Sequence, residues 1–179
     1  MTSTGAPNNL DIFVCPLSGL QRAATELKRF DLLTLLSPGH TETHHHGLTG
    51  DRHLELSFHD IVEPKAGLIA PDRDVMAAVM DFGRGCQQPL LVHCWAGISR
   101  SSAAAYAIVC ARNPGYEREI ARELRHRAPF ATPNRLMVAL ADDLLGRDGR
   151  MVAEIERIGR GGEAFEGRPY QLPLSWPIE

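Results

Sequence analysis

The sequence predicts an α/β fold: a central, mostly parallel sheet of four to five strands flanked by helices, with a helical C-terminal half. Two observations favour this fold. Short apolar segments alternate with helical patterns through the first half of the chain, which is typical of parallel strands joined by helices. From Arg100 onward the pattern is helical only, until a Gly/Pro-rich tail begins at Gly161.

Four segments are predicted as strands because they are apolar and most of them stop at Pro or at polar residues. The second in chain order is expected to be buried, whereas the third alternates apolar and polar residues with a period of two. The predicted strands are Asp11–Cys15, Asp31–Ser37, His53–Phe58 and Pro89–Cys94.

Six segments are predicted as helices from the spacing of their apolar residues and from their terminal residues. Ser18 is expected to cap the first helix. Pro71 is expected to begin the second helix, and Thr132 to cap the fifth with Pro133 in its first position. The predicted helical segments are 17–30, 71–85, 99–112, 116–127, 133–146 and 149–159.

The 179 residues are predicted to form a single domain, because no internal repeat or linker interrupts them. A chain of this length can bury one substantial core. We expect that core to span about residues 11–146, with a C-terminal helix and tail over 147–179. The tail from Gly161 is expected to drape over the surface.

The composition argues against several classes of partner. A formal net charge of −3 provides no basic surface for nucleic acid or an anionic membrane. No export signal and no apolar segment of about 18 residues is visible. The four cysteines are far apart and lack the spacing of a zinc site or a disulfide framework. We therefore expect a reduced, cytoplasmic protein.

The segment LLVHCWAGISRSS, residues 90–102, combines a strand end, a tight loop and a helix start. The backbone N–H groups of such a loop converge on one point, where they bind a tetrahedral dianion such as phosphate. Gly97 lets the backbone turn, and Arg100 can bind two phosphate oxygens as a planar fork. The segment therefore predicts a phosphate site.

Cys94 lies at the floor of this predicted site. The positive field that attracts phosphate also stabilises a thiolate, so Cys94 is predicted to be a nucleophile. We expect His93 to orient the loop and the Ser101 hydroxyl to hydrogen-bond the sulfur. The alternative interpretation is a buried cysteine and a surface arginine at an ordinary strand–helix junction. The other loop positions expected to contact the substrate are Trp95, Ala96, Ile98 and Ser99.

The residues His93, Cys94, Gly97, Arg100 and Ser101 match the pattern HCxxGxxR followed by Ser or Thr. In this the chain resembles the cysteine-dependent protein tyrosine phosphatase superfamily, and in particular compact, dual-specificity-like bacterial tyrosine phosphatases. The resemblance extends over roughly residues 11–146 and is strong at the loop. It implies hydrolysis of a phosphorylated protein or peptide through a phosphocysteine, with no metal and no other cofactor.

A second part of the resemblance is the Pro-Asn pair in RAPFATPNRLMVAL, which follows Cys94 by 40 residues at Asn134. The resemblance implies that Asn134 braces the phosphate-binding loop. The alternative is that the pair only marks a helix start.

Transfer of a phosphoryl group needs a general acid, because an alkoxide or phenolate leaves poorly without a proton. Members of the superfamily supply an Asp from a mobile loop that precedes the cysteine. Asp60 lies 34 residues ahead of Cys94, just after the third predicted strand, and is our candidate. Glu63, Asp72 and Asp74 are its alternatives, although acidic residues at a helix start are common for dipole reasons alone. His59 either modulates the acid or is an ordinary loop histidine.

Two further features stay open. The histidines of HTETHHHG, from His40 through His44–His46, are expected to form a solvated loop rather than a metal site. Cys15 either forms a disulfide with Cys94 on oxidation or, as we expect, is a plain buried thiol. Cys86 and Cys110 carry no signal of function.

The loop positions Trp95, Ala96, Ile98 and Ser99 include no basic residue, which favours phosphotyrosine, with or without phosphoserine and phosphothreonine, over polyanionic substrates. Trp95 itself is either a substrate platform or a packing residue. The alternatives are a non-catalytic module that binds phosphate or phosphopeptide and a phosphatase of a small-molecule or lipid phosphate. Sulfur transfer or arsenate reduction is disfavoured, because arsenate reduction needs further well-placed thiols. The oligomeric state is left open.

Overall fold

A computed structural model describes residues 10–40, 48 and 50–177. These residues form an α/β fold, which confirms the predicted class. The strands are β1 Asp11–Pro16, β2 Asp31–Leu36, β3 His53–Ser57, β4 Leu90–Cys94 and β5 Tyr170–Pro173. The helices are α1 Leu20–Leu27, α2 Arg73–Arg84, α3 Arg100–Arg112, α4 Glu117–Arg127, α5 Arg135–Leu144 and α6 Arg150–Ile158, with a short 3-10 turn at Leu17–Gly19.

The five strands form one sheet in the order β3-β2-β4-β1-β5. The first four are parallel, and β5 runs antiparallel to β1. Every residue of the inner strand β2 is buried, whereas the edge strand β3 alternates between exposed and half-buried residues. Pro16 pairs with Cys94, so the carboxyl ends of β1 and β4 lie side by side, where ligands bind in sheets of this kind.

Helices cover the two faces of the sheet unequally. The main core lies between one face and α2–α6, with the Ala-rich α3 buried from Arg100 through Cys110. A Cβ atom added to Gly83 of α2 would lie 2.4 Å from Ile108 Cγ2, so these two helices pack closely. A smaller cluster on the opposite face packs against α1; its buried members are Cys15, Leu20, Ala24, Phe30, Leu32 and Leu91.

Two predicted helix caps are wrong. Ser18 does not cap α1, whose N-cap is Gly19; its hydroxyl instead donates to Glu166 Oε1 at 2.6 Å. Thr132 does not cap α5 either. Asn134 is the N-cap, and its Oδ1 accepts from the Met137 N–H at 3.0 Å. Asn caps a helix as well as Thr does, so the sequence around residues 132–134 is compatible with a helix that begins after either residue.

The start of α2 and the C-terminal tail also differ from expectation. Pro71 precedes the helix, and Asp72 is the N-cap, with its carboxylate accepting from the Val75 N–H. The tail does not simply drape over the surface. Residues 170–173 form β5, and Tyr170 and Leu172 of that strand are buried. A strand of four residues within a Gly/Pro-rich segment is too short for its alternation to be recognised.

Candidate active site

The candidate active site is a pocket of about 430 Å³ at the carboxyl end of β4. Cys94 lies at its floor and is 2% exposed. We call residues 94–100 the phosphate loop. The pocket is lined by Leu36, Ser37, His40, Asp60 and every residue of the phosphate loop except Gly97.

The carbonyl groups of the phosphate loop are bound from outside the pocket. Since the N–H of the next residue points away from each carbonyl in a trans peptide, these contacts turn N–H groups inward. The inward side is therefore rich in donors, as an anion site requires. The four contacts are Leu17 N–H to Trp95 O (3.1 Å), Gly167 N–H to Ala96 O (2.8 Å), Thr132 N–H to Ile98 O (3.1 Å) and Asn134 N–H to Ser99 O (3.3 Å).

Gly97 is required twice over in this loop. Its φ of +69° is strained for any residue with a side chain. A Cβ atom there would also lie 2.7 Å from Pro16 N and 3.0 Å from the Cys15 carbonyl carbon. These are backbone atoms of β1 that cannot move aside, so the phosphate loop packs directly against the backbone of this strand at Gly97.

The Cys94 sulfur is surrounded by groups that favour negative charge. The Gly97 N–H donates to Sγ at 3.3 Å, and the Ser101 hydroxyl lies 3.1 Å from it. The N-terminus of α3, which begins at Arg100, adds the positive end of a helix dipole. Such surroundings are typical of nucleophilic cysteines. The contact also brings the Ser101 hydroxyl to the sulfur.

Arg100 is anchored at one end of its guanidinium. Its Nη1 donates to Phe58 O at 2.8 Å and to Ser37 Oγ at 3.2 Å, and its Cζ lies 5.9 Å from the Phe58 ring centroid. The buried Nε has no hydrogen-bond partner among the described residues. Arg100 therefore keeps a donor for a bound anion, while the residues that directly follow β2 and β3 fix its position.

His93 lies behind the phosphate loop and is fully buried. Its Nε2 lies 2.9 Å from Thr34 Oγ1 on β2, and the same hydroxyl lies 2.9 Å from His53 Nε2 on β3. A polar chain therefore crosses three strands beneath the loop. Burial lowers the pKa of His53, with Glu55 acting in the opposite direction.

Asp60 is the carboxylate that the structure places in the pocket with Cys94 and Arg100. Its Oδ1 accepts from Ser99 Oγ at 2.8 Å and from Asn134 Nδ2 at 2.8 Å.

The alternatives to Asp60 lie elsewhere. Asp72 caps α2, Asp74 is in the first turn of that helix, and the exposed Glu63 does not line the pocket.

Asn134 joins the two walls of the pocket. Its backbone N–H binds the phosphate loop at Ser99 O, and its Nδ2 donates to Asp60 Oδ1 and to Ile61 O (3.2 Å). It also caps α5. Both interpretations of the Pro-Asn pair are therefore present in one residue, together with a contact to Asp60 that the sequence does not reveal.

Asp60 belongs to a segment that we call the acid loop, residues 59–71. The His59 N–H donates to Ile69 O at 2.7 Å, and the Ile69 N–H donates to His59 Nδ1 at 2.9 Å. His59 thus closes the base of the loop. The acid loop is otherwise largely exposed.

Trp95 lies at the rim of the pocket and is 50% exposed. Its ring centroid is 5.3 Å from that of His40, with the planes tilted by 59°. His40 is the only member of the histidine-rich segment that the structure describes; the expectation for His44–His46 falls outside the described residues. Among the described residues, no group of three or more His, Cys, Asp or Glu is arranged to hold a metal ion.

All four cysteines are free and buried. Burial, and next the neighbouring Cys94, raise the pKa of Cys15 to about 12. Cys15 packs in the cluster beneath α1, whereas Cys94 belongs to the main core on the other face of the sheet. The structure thus shows Cys15 as the expected buried thiol.

Sequence reasoning missed the contribution of the C-terminal tail. Gly167 donates to Ala96 O, and a Cβ atom at Gly167 would lie 2.9 Å from Gly97 O and 2.5 Å from Phe130 Cε2. The tail therefore holds the phosphate loop from outside. The only signal in the sequence was a glycine in a Gly/Pro-rich segment.

Arg125 is a second supporting residue that the sequence did not indicate. Its Nη1 donates to the carbonyls of Ala128, Pro129 and Ala131, and its Nη2 donates to Gly159 O at 2.6 Å. Partial burial lowers its pKa. Arg125 thereby orders the segment that leads to Thr132 and Asn134.

Comparisons with known proteins find similarity in the fold rather than in the sequence. No family model matches the chain, and no curated protein matches it by sequence. Solved structures do match. DUSP15 superposes with a TM-score of 0.59 at 19% identity, over 86% of this chain and 94% of that one. A human tyrosine phosphatase-like serine/threonine/tyrosine-interacting protein matches with a TM-score of 0.57 at 17% identity, over 76% and 92%. The Yvh1 phosphatase domain from Chaetomium thermophilum matches with a TM-score of 0.54 at 17% identity, over 78% and 93%.

The chain has the fold of the cysteine-dependent protein tyrosine phosphatase superfamily, in its compact, dual-specificity-like form. It carries the HCxxGxxR residues of that superfamily in the loop between a parallel strand and a helix. The resemblance drawn from the sequence is thereby confirmed at the level of the fold. Within the described residues, no helix is long and apolar enough to cross a membrane.

Proposed function

We propose that this protein is a metal-independent phosphomonoester hydrolase that dephosphorylates tyrosine, or tyrosine together with serine and threonine, in a protein or peptide substrate. The observation that carries the proposal is the pocket itself. It brings Cys94, Arg100 and Asp60 together, although Asp60 lies 40 residues before Arg100 in the chain. A nucleophile, an anion clamp and a proton donor are the groups that this reaction needs.

In the first step, the Cys94 thiolate attacks phosphorus in line, and the bond from phosphorus to the leaving oxygen breaks. The loop N–H groups and Arg100 stabilise the equatorial oxygens. Asp60 donates its proton to the leaving oxygen. Its Oδ1 accepts both hydrogen bonds from the protein, whereas Oδ2 has no partner among the described residues and can carry that proton.

In the second step, water attacks the phosphocysteine, and the Asp60 carboxylate accepts a proton from that water. The sulfur–phosphorus bond breaks with its electron pair on Cys94. Ser101 donates to the departing sulfur from its position 3.1 Å away. Inorganic phosphate leaves, and the thiolate and the protonated acid are restored.

The lining of the pocket supports an aryl phosphate as substrate. Leu36, Trp95 and Ile98 give it apolar surface that suits a phenol ring, and Arg100 is its only Lys or Arg among the described residues. A small-molecule or lipid phosphate with several charged groups would meet little additional positive charge there. Since Cys94 must remain a thiolate, the proposal also includes action in a reducing compartment such as the cytoplasm.

A non-catalytic phosphopeptide-binding module is the second candidate function. It is favoured by the similarity to a protein named phosphatase-like and interacting, since that name describes binding on this fold. Both candidates use the phosphate loop in the same way. They differ in whether Asp60 and Cys94 turn the substrate over.

Hydrolysis of p-nitrophenyl phosphate in the presence of a chelator separates the two candidates. We expect turnover by the wild type, a loss of at least about 10⁴-fold in Cys94→Ser, and a loss of about 10²-fold in kcat for Asp60→Asn. Glu63→Gln is the matched control, because Glu63 is an exposed carboxylate of the same acid loop outside the pocket. It should retain full activity.

Other outcomes would redirect the proposal. Full activity in Asp60→Asn, with loss in Glu63→Gln, would show that the acid is misassigned. A wild type that binds a phosphotyrosine peptide without hydrolysing it would establish the binding module instead.

A further inference from the structure

A second cavity, of about 410 Å³, lies between the start of α5 and the end of α6. We call it the arginine cleft, after the two arginines in its lining. It is lined by Thr132, Pro133, Arg135, Ile155, Glu156, Gly159 and Arg160.

The arginine cleft shares a wall with the candidate active site. Asn134, whose side chain binds Asp60, lies between the cleft residues Pro133 and Arg135. Thr132 lines the cleft, and its N–H binds Ile98 O in the phosphate loop. Residues 132–135 therefore connect the lining of the cleft to the phosphate loop and to Asp60.

The two arginines of the cleft form no ion pair within the described residues. Arg135 and Arg160 are both exposed, and neither forms a hydrogen bond or an ion pair with any described residue. Arg135 is also the first residue of α5, where the helix dipole favours an anion and disfavours a cation. The first turn of α5 contains no acidic residue that would offset this charge. Two guanidinium groups in one cavity are well suited to a carboxylate or a phosphate.

We propose that the arginine cleft binds a second anionic group of the substrate, a carboxylate or phosphate on a residue near the phosphorylated one. This inference rests on the proposed function, since it assigns a specificity site to the same reaction. Glu156 lies in the same lining, so the cleft suits one anionic group rather than a polyanion. The phosphate loop binds the phosphate that reacts, and the cleft binds a charged group on a neighbouring residue of the substrate.

The test measures peptide affinity in the Cys94→Ser variant, which cannot turn substrate over. The probes are fluorescein-labelled phosphotyrosine peptides with two glutamates on the N-terminal side, with two on the C-terminal side, or with glutamines throughout. Fluorescence anisotropy gives the Kd of each. We expect one of the two acidic peptides to bind about fivefold more tightly than the glutamine peptide, and 0.5 M salt to remove most of that difference.

The variant that tests the cleft is Arg135→Ala/Arg160→Ala, made in the Cys94→Ser background. The matched control is Arg118→Ala/Arg122→Ala, which removes two exposed arginines of α4 that have no partner among the described residues. The cleft variant should bind all three peptides equally, whereas the control should keep the preference. Both pairs of substitutions, placed in the active enzyme, should leave turnover of p-nitrophenyl phosphate unchanged.

The outcomes separate this inference from the proposed function. If the Cys94→Ser protein with Arg135 and Arg160 intact binds all three peptides with the same Kd, the cleft is not an anion site, even if the active enzyme hydrolyses p-nitrophenyl phosphate. A preference that persists in Arg135→Ala/Arg160→Ala would overturn it as well. If no phosphotyrosine peptide binds, both the proposed peptide substrate and the proposed anion site in the cleft are refuted. If p-nitrophenyl phosphate is not hydrolysed but the acidic peptide is preferred, the proposed phosphatase activity is refuted and the proposed anion site in the cleft is supported.

Discussion

The two walls of the pocket are held in different ways. The phosphate loop is fixed from outside by contacts from the end of β1, the segment before α5 and the C-terminal tail. Within it, Cys94, Gly97 and Arg100 are buried. The acid loop, in contrast, exposes Val62 and Ile69. One pair of hydrogen bonds between His59 and Ile69 closes its base, and side chains of the other wall bind it only at Asp60 and Ile61.

This difference separates two tasks of a phosphoryl-transfer site. The groups that stabilise charge on the transferred phosphate act best when they are ordered before the substrate arrives. The group that protonates the leaving oxygen must adjust to the substrate, and a loop with few buried contacts opens at little cost. In the proposed reaction, the phosphate loop is therefore the rigid wall that holds the phosphate, and the acid loop is the adjustable wall beside the leaving group.

The largest expected effect comes from a matched pair of glycines, one in each wall. Gly97 and Gly67 both have positive φ, at +69° and +77°. A Cβ at Gly97 would collide with the backbone of Pro16, whereas nothing lies within 4 Å of one at Gly67. Gly97→Ala should therefore cost about 3 kcal/mol of unfolding free energy or more. It should also reduce kcat by over about 100-fold. Gly67→Ala should cost only about 1 kcal/mol, from backbone strain.

Urea unfolding and turnover of p-nitrophenyl phosphate would measure both effects. If Gly67→Ala were as damaging as Gly97→Ala, the acid loop would be as tightly built as the phosphate loop. The contrast between the walls would then be wrong.

An intermediate effect is expected at Asn134, which connects the walls. Asn134→Asp keeps an oxygen that can accept from the Met137 N–H, so α5 keeps its N-cap. It loses the donor to Asp60 and adds a like charge beside it, so the acid loop should move away and kcat fall about tenfold. Asn134→Ala loses the cap as well and should cost about 1 kcal/mol of stability.

Asn134→Ser separates the tether from the charge, because it keeps a capping oxygen but has no amide to donate to Asp60. We expect its kcat to lie between those of the wild type and Asn134→Asp, with stability near that of the wild type. If Asn134→Asp kept full activity, the tether between Asn134 and Asp60 would be unimportant for the reaction.

The same contrast explains how much could be predicted from the sequence. The phosphate loop is encoded in one contiguous segment, so the residues from His93 to Ser101 could be identified together. Asp60 was predicted because it lies after a strand and ahead of Cys94, where the resemblance implies an Asp. The contacts that join the walls come from distant segments: Asn134 meets Asp60 across 74 residues, and Gly167 meets Ala96 across 71. Single-sequence patterns contain no signal for such pairs, because neither partner has an unusual residue type.

Contacts with the C-terminal tail account for the errors in the predicted fold. Ser18 and Thr132 are good caps by residue type, yet their hydroxyl groups bind Glu166 and Gly161 instead. Both partners belong to the C-terminal tail, whose Gly/Pro-rich composition had predicted that it only drapes over the surface. The missed strand β5 and the two wrong caps therefore have one cause: the tail packs against the rest of the domain.

The smallest expected effect tests the closure of the acid loop. His59→Ala removes the acceptor of the Ile69 N–H but leaves the backbone hydrogen bond from His59 to Ile69 in place. Since the bond is exposed, unfolding free energy should change by under about 1 kcal/mol. The loop should open more often, so kcat for p-nitrophenyl phosphate should fall two- to threefold. Such a fall corresponds to an activation free energy that is higher by roughly 0.5 kcal/mol.

His126→Ala is the matched control, because His126 is an exposed histidine of α4 outside the pocket. Amide hydrogen exchange across residues 59–71 should accelerate in His59→Ala and stay unchanged in the control. Faster exchange in the phosphate loop as well would mean that the two walls open together. Faster exchange confined to the acid loop, with the modest fall in kcat, would show that the adjustable wall moves while the phosphate loop stays ordered.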